Sequence, residues 1–113
     1  MEISRRLDGK GKVLSVRALE ASADQGSASA QFQLGRILYS GLGVAQDRAK
    51  AARQWRLSSA QGYAIAQVQL GHCYFSDEGV SQDYVEAGLQ WRLASAQGEV
   101  AAHHPLGALY DAG

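Results

Sequence analysis

The nine residues QWRLSSAQG at positions 54–62 return at positions 90–98 as QWRLASAQG. In this register the segment 26–61 aligns with 62–97 without a gap, and 20 of the 36 positions are identical. The dipeptide Leu-Gly occurs a third time at 106–107, after 34–35 and 70–71. A period of this length indicates stacked supersecondary units that bury their apolar faces against one another.

Each 36-residue unit contains the pattern of a helix–turn–helix hairpin. In the first unit, helical spacing places four apolar residues on one stripe: Ala30, Leu34, Ile37 and Leu38. The segment Gly41–Gly43 then interrupts this helix, because two nearby glycines favour a turn. Asp47 is a suitable N-cap for a second helix, and Gly62 is a suitable residue to end it. The sequence contains no strand pattern, so we predict an all-α fold.

Two tryptophans occupy the same position of the second helix in successive units, Trp55 and Trp91. We interpret them as core residues, because aromatic rings dominate the energetics of helical interiors. The alternative is that these rings stack on a ligand. Gly35 and Ala51 are small enough for one helix to pass close to another, which favours the core interpretation.

The motif resembles a known repeat. It reads A-x3-L-G-x2-Y-x2-G-x-G-V-x2-D-x3-A-x3-W-x4-A-x-G, starting at Ala30 and again at Ala66. The first unit departs from it by having Leu38 at the tyrosine position, and the second by having Asp77 at the first turn glycine. This pattern is similar to the Sel1-like repeat, a relative of the tetratricopeptide repeat. The resemblance implies an α-solenoid of antiparallel helix hairpins in a right-handed superhelix, with about five helices, in a bacterial protein.

The repeat register predicts the domain organisation. Residues 1–12 are expected to form a flexible N-terminal segment, and 13–113 the repeat domain. Within that domain, 26–61 and 62–97 are full repeats, 13–25 is the end of an earlier one, and 98–113 opens a further one. Solenoids normally end in a polar capping unit. The apolar residues Leu106, Leu109 and Tyr110 therefore suggest a homodimer, a partner at that end, or a chain that continues further.

Composition restricts the possible functions. The chain has 113 residues, of which 11 are basic and 11 acidic, so it lacks the positive excess typical of proteins that bind nucleic acid. No apolar run has the length of a membrane span, so we expect no membrane insertion. A single cysteine favours a reducing compartment, and we expect the cytoplasm. The periplasm or secretion is the alternative if a signal peptide has been removed.

Catalytic and metal-binding motifs are weak in this sequence. There is no phosphate-binding loop and no Ser-x-x-Lys motif. His72-Cys73 and His103-His104 are adjacent pairs, and neighbouring helical side chains point about 100° apart, so they are poor metal ligands. We interpret Cys73 as a small core residue and the histidines as surface residues. We expect no cofactor and no enzymatic activity.

The positions at which the two units differ indicate where a partner would bind. By analogy with tetratricopeptide proteins, one side of each first helix would line a concave groove. The residues predicted to bind a partner there are Phe32, Arg36, Tyr39, Ser40, Val68, His72 and Phe75. Aromatic and arginine anchors with adaptable neighbours are typical of protein interfaces. The alternative for the three aromatic residues is that they pack between adjacent units.

The resemblance implies a scaffold or adaptor that binds a peptide or protein segment. A narrower alternative is an immunity or regulatory protein that blocks a cognate toxin or effector. A less favoured alternative is a β-lactam-processing hydrolase, because such an activity has been proposed for cysteine-rich relatives and this chain has one cysteine.

Overall fold

The computed structural model describes residues 12–103 and Pro105. It consists of five helices of 13 residues each, followed by a short 3-10 turn. The helices are α1 (Lys12–Asp24), α2 (Ala28–Ser40), α3 (Arg48–Ala60), α4 (Ala64–Ser76) and α5 (Tyr84–Ala96), and the turn is Val100–Ala102. No strand occurs among the described residues. The all-α prediction, the solenoid of helix pairs and the number of helices are confirmed.

The helix ends follow from short-range hydrogen bonds. The side chains of Asp47 and Asp83 accept from the backbone amides of Lys50 and Glu86, each at 3.0 Å, and so cap α3 and α5. At the other end of α3, Gly62 adopts φ +84°, as expected of a residue that terminates a helix. Asp77 ends α4 with φ 60°, a conformation that Asp tolerates better than most residues.

The helices stack in chain order. The pairs α2/α3 and α4/α5 form the two hairpins, and α3 packs on α4 to join them. On the outer side of the first hairpin α1 packs on α2, in the manner of a preceding second helix. The result is an elongated body of 53 × 24 × 21 Å.

Each tryptophan fills the interior of its own hairpin. Trp55 and Trp91 are almost fully buried, and their indole N–H groups donate to the carbonyls of Phe32 and Val68, both at 3.1 Å. A side chain at Gly35 would overlap the Trp55 ring, which is why the first helix carries glycine there. The core interpretation of both rings is therefore confirmed, and so is that of Cys73, which is 1% exposed.

Glutamine side chains connect successive helices. Gln61 donates to Gln31 at 2.9 Å, and Gln97 donates to Gln67 at 3.0 Å in the same place one repeat later. Gln31 in turn donates to the carbonyl of Ala23 at 3.2 Å. Buried amides require such partners, so this ladder fixes the register between units.

Among the described residues, none of the helices has the length and hydrophobicity of a transmembrane segment. The predicted flexible segment 1–12 lies outside the described residues except for Lys12. Leu106, Leu109 and Tyr110, on which the predicted dimer contact depends, also lie outside them.

Candidate functional site

The exposed side of the first helices forms one polar surface. On α2 it comprises Gln33, Arg36 and Ser40, which lie on one stripe and are exposed. On α4 the residues 36 positions later are Gln69, His72 and Ser76; Gln69 is half-buried and the other two are exposed. We call these six residues the first-helix face. It contains three of the seven residues predicted to bind a partner, Arg36, Ser40 and His72.

Two of the predicted residues do not lie on an accessible surface. Phe32 is 9% exposed and packs against Tyr63, with the ring centroids 5.6 Å apart. Val68 is 2% exposed and packs in the core of the second hairpin, beside Trp91. Both side chains are enclosed because the following unit covers that side of the helix. The expectation that they line an open groove is therefore wrong.

The remaining two predicted residues are half-buried. The ring of Tyr39 packs on Trp55 with centroids 5.5 Å apart, and that of Phe75 packs on Trp91 at 5.6 Å. The Phe75 ring also packs on Tyr84, with the ring centroids 5.0 Å apart. These aromatic residues thus cover the tryptophans, in agreement with the alternative that they pack within the solenoid.

Tyr39 also connects the two repeats. Its hydroxyl donates to Glu78 at 2.7 Å, and Arg48 lies 3.3 Å from the same carboxylate and 4.6 Å above the tyrosine ring. The hydrogen bond to Glu78, together with burial, raises the pKa of the Tyr39 phenol above its ordinary value. This network holds the turn of the second repeat against the start of α3.

Arg36 and His72 of the first-helix face both contact aromatic neighbours. The Arg36 guanidinium lies 5.9 Å from the centroid of the Phe32 ring. His72 packs edge-on against Trp91 with centroids 5.3 Å apart. Burial lowers the pKa of His72 below its ordinary value of 6.5, and the nearby charge of Glu78 opposes this effect. His72 therefore offers a neutral imidazole at neutral pH, and Arg36 a permanent charge.

A recess of about 240 Å³ lies at the α2 end of this face. It is lined by Arg36 and Ser40, which were predicted, and by Gln33, Ile37 and Leu42, which were not. Leu42 is 60% exposed and gives the recess an apolar edge. Gln33 recurs as Gln69 in the next repeat, so an exposed residue retained at the same position was the signal that sequence reasoning overlooked.

The structure describes no cluster of three or more His, Cys, Asp or Glu residues arranged to hold a metal ion in residues 12–103. Burial also raises the pKa of the Cys73 thiol to about 12, so this group remains protonated at neutral pH. Arg56, one of two arginines at the repeat spacing, donates to the Tyr74 hydroxyl at 3.2 Å and so bridges two helices.

Known proteins share this architecture. The Sel1 repeat model matches residues 28–63 and 64–99. The predicted units 26–61 and 62–97 have the same 36-residue period and begin two residues earlier. The partial repeats at 13–25 and 98–113 stay predictions. No curated protein matches the sequence significantly.

Three solved structures illustrate the similarity. The protective antigen c5321 of uropathogenic Escherichia coli, which displays an SLR fold, is 35% identical over 84% of this chain and 20% of its own, with a TM-score of 0.82. A Sel1 repeat protein from Oxalobacter formigenes is 28% identical over 90% of this chain and 42% of its own, with a TM-score of 0.86. Cysteine rich protein B of Helicobacter pylori is 21% identical over 85% of this chain and 72% of its own, with a TM-score of 0.81, and shows the same fold.

The chain thus spans 20% of the first of these structures and 42% of the second. The two matched repeats nevertheless account for most of its residues, and the helix pairs, caps and buried tryptophans agree with them. The chain belongs to the Sel1 repeat family.

Proposed function

We propose that this chain is an interaction scaffold whose first-helix face binds a peptide or protein segment. Proteins of the Sel1 repeat family generally act as protein–protein interaction scaffolds and are typically not enzymes. The observation that carries the proposal is the recess at Arg36 and Ser40. It is the place where residues predicted to bind a partner, an exposed leucine and exposed polar side chains lie together.

The character of this face supports an extended partner. Arg36 is presented on an aromatic ring, and its planar guanidinium is suited to carboxylates and backbone carbonyls. The glutamine and serine side chains of the face both donate and accept hydrogen bonds, which suits a peptide backbone. Leu42 at the edge adds the apolar contact that interfaces favour.

A double variant tests this proposal. Affinity capture from the native organism is carried out with the parent chain and with Arg36→Ala/His72→Ala. We expect the variant to lose the bound protein but to remain folded by circular dichroism, because neither side chain belongs to the buried core. The matched control is Arg17→Ala/His103→Ala, which removes the same two residue types from exposed positions outside the face.

If the double variant still captures the same partner, the proposal that this face binds it is contradicted. If the captured protein is a toxin that the chain inhibits, the narrower function of an immunity protein is supported. A protein partner also agrees better than nucleic acid with the equal numbers of basic and acidic side chains.

We further propose that the chain has no hydrolase activity. The protonated state of the Cys73 thiol, held by burial, removes the one cysteine as a nucleophile. Incubation of the purified chain with a chromogenic β-lactam is the direct test. Turnover that disappears on substitution of a single serine would establish the enzyme alternative.

A further inference from the structure

A cleft of about 290 Å³ lies on the other side of the solenoid, between α1 and α3. Its floor is apolar and consists of Leu34 and Leu38 from α2. The wall from α1 carries two carboxylates, Glu20 and Asp24. The wall from α3 carries two cations and one amide.

On the α3 wall, Lys50 and Arg53 are exposed and face the cleft together with Gln54. Within residues 12–103, none of the four charged side chains that line the cleft takes part in an ion pair. Opposite charges therefore face each other across an apolar floor without neutralising each other. This arrangement suits a ligand that carries both signs of charge.

The second repeat shows how the chain fills the equivalent cleft with its own groups. Thirty-six residues after Leu38, Tyr74 extends its ring there, and its hydroxyl accepts from Arg56 at 3.2 Å. Thirty-six residues after Ala23, the Ser59 hydroxyl donates to the side-chain oxygen of Gln90 at 2.6 Å. An aromatic ring and a hydroxyl donor thus occupy this position in the second repeat.

The first repeat lacks both groups, because it has Leu38 and Ala23 at these positions. One consequence is visible in Gln54, the counterpart of Gln90. Its side-chain oxygen is buried and has no hydrogen-bond partner. Buried polar atoms in folded proteins nearly always have a partner, and a carboxamide oxygen can only accept. A ligand in the cleft would therefore have to supply a donor.

We propose that the cleft binds a small zwitterion with an aromatic body, of the class of the free aromatic α-amino acids. The ring takes the place of the missing tyrosine on Leu34 and Leu38. The ammonium group donates to the α1 carboxylates and to the Gln54 oxygen, and the carboxylate binds Lys50 and Arg53. The volume is at the lower end of the range for ligand pockets, which agrees with a ligand of amino-acid size.

Calorimetric and NMR titrations of the full chain with L-phenylalanine test this proposal. We expect saturable binding of one molecule, with shifts of the Gln54 side-chain amide resonances. 2-Phenylethylamine lacks the carboxylate and 3-phenylpropanoic acid lacks the ammonium group. Each is expected to bind at least about tenfold more weakly, because each loses one charge-assisted contact. Equal binding of either analogue, or no saturable binding of L-phenylalanine, would overturn the proposal.

Two variants locate the site. Ala23→Ser/Leu38→Tyr copies the second repeat into the first, so it should fill the cleft and abolish binding while circular dichroism stays unchanged. Lys50→Gln changes only an exposed side chain and should weaken binding by about tenfold without affecting folding. His103→Gln, at an exposed position after α5 and outside both the cleft and the first-helix face, is the control and should bind as the parent does. Parent-like affinity of Lys50→Gln, or of the folded double variant, contradicts the assignment.

Discussion

Gln54 and Gln90 occupy the same position in successive repeats but have different partners. The Gln90 oxygen accepts from Ser59, whereas the Gln54 oxygen is buried without a partner because Ala23 stands at the corresponding position. We expect Ala23→Ser to raise the free energy of unfolding by about 0.5–1.5 kcal/mol, the usual net contribution of one hydrogen bond. Urea denaturation monitored by circular dichroism measures this difference.

The reciprocal substitution provides the control. Ser59→Ala should lower the free energy of unfolding by about 1–3 kcal/mol, because it leaves the Gln90 oxygen without its donor in a buried position. If both substitutions destabilise the chain equally, the difference between the two glutamines is not a matter of hydrogen bonding.

His72 makes stability dependent on pH. Burial lowers its pKa in the folded chain below 6.5, so the folded state binds fewer protons than the unfolded state as the solution is acidified. The contribution of His72 to stability is therefore complete above the unfolded pKa and is lost as the pH falls through the folded one. We expect the free energy of unfolding to decrease as the pH falls below the ordinary histidine pKa of 6.5.

The variant His72→Gln should flatten this pH dependence. Urea titrations at several pH values measure it, with His103→Gln, an exposed histidine, as the control for removing a histidine. An unchanged slope in His72→Gln would show that another group governs the pH dependence.

The residues of the candidate site were only partly predictable from the sequence. Helical spacing places Phe32, Arg36 and Tyr39 near one another on α2, but it does not show which of them the next repeat covers. Burial of Phe32 depends on Tyr63 and on α4, a contact between units rather than within one. Arg36 remains exposed because its long side chain reaches past the buried ring.

The elements themselves were readable from the sequence because their ends are determined locally. Asp47 and Asp83 cap α3 and α5 through their own side chains, and Gly62 supplies the left-handed conformation after α3. The start of α4 is less evident, because its N-cap is Tyr63, whose side chain makes no capping hydrogen bond. There the boundary follows from packing against Phe32, which a single segment does not reveal.

The turns between helices provide a matched pair of glycines. Gly43 and Gly79 occupy equivalent positions with φ +80° and +81°, so an alanine has the same backbone strain at both. A Cβ at Gly43 meets no atom within 4 Å, whereas one at Gly79 overlaps the backbone carbonyl of Arg48. The difference between the two positions is therefore the contact between repeats.

We expect Gly79→Ala to lower the free energy of unfolding by about 1–3 kcal/mol more than Gly43→Ala, the usual cost of overpacking. Thermal and urea denaturation of the two single variants measure the difference. Equal losses would show that the turn of the second repeat moves freely away from α3, contrary to the Tyr39–Glu78–Arg48 network.

At the scale of the whole molecule, the chain is a linear stack in which each helix packs mainly on its neighbours in sequence. This one-dimensional arrangement explains why the family and the fold followed from the repeat alone, since the packing within the first hairpin is repeated in the second. It also explains why the cleft between α1 and α3 could not be predicted from the repeat. That cleft results from two differences between copies, Leu38 and Ala23, whose effect appears only when three helices are assembled.

A linear stack should also open from its ends. Among the described helices, opening α1 breaks mainly its packing on α2, whereas opening α3 breaks its packing on both α2 and α4. In solenoids stability is close to a sum of such nearest-neighbour interfaces, so local opening costs less free energy at the end than in the middle. We therefore expect hydrogen exchange measured by mass spectrometry to be slowest for the amides of α3 and α4 and markedly faster for those of α1.

The variant Gly79→Ala should speed exchange in α4 more than in α1, because it weakens an interface that α1 does not share. Uniform protection from α1 to α5 would instead mean that the five helices unfold as a single cooperative unit.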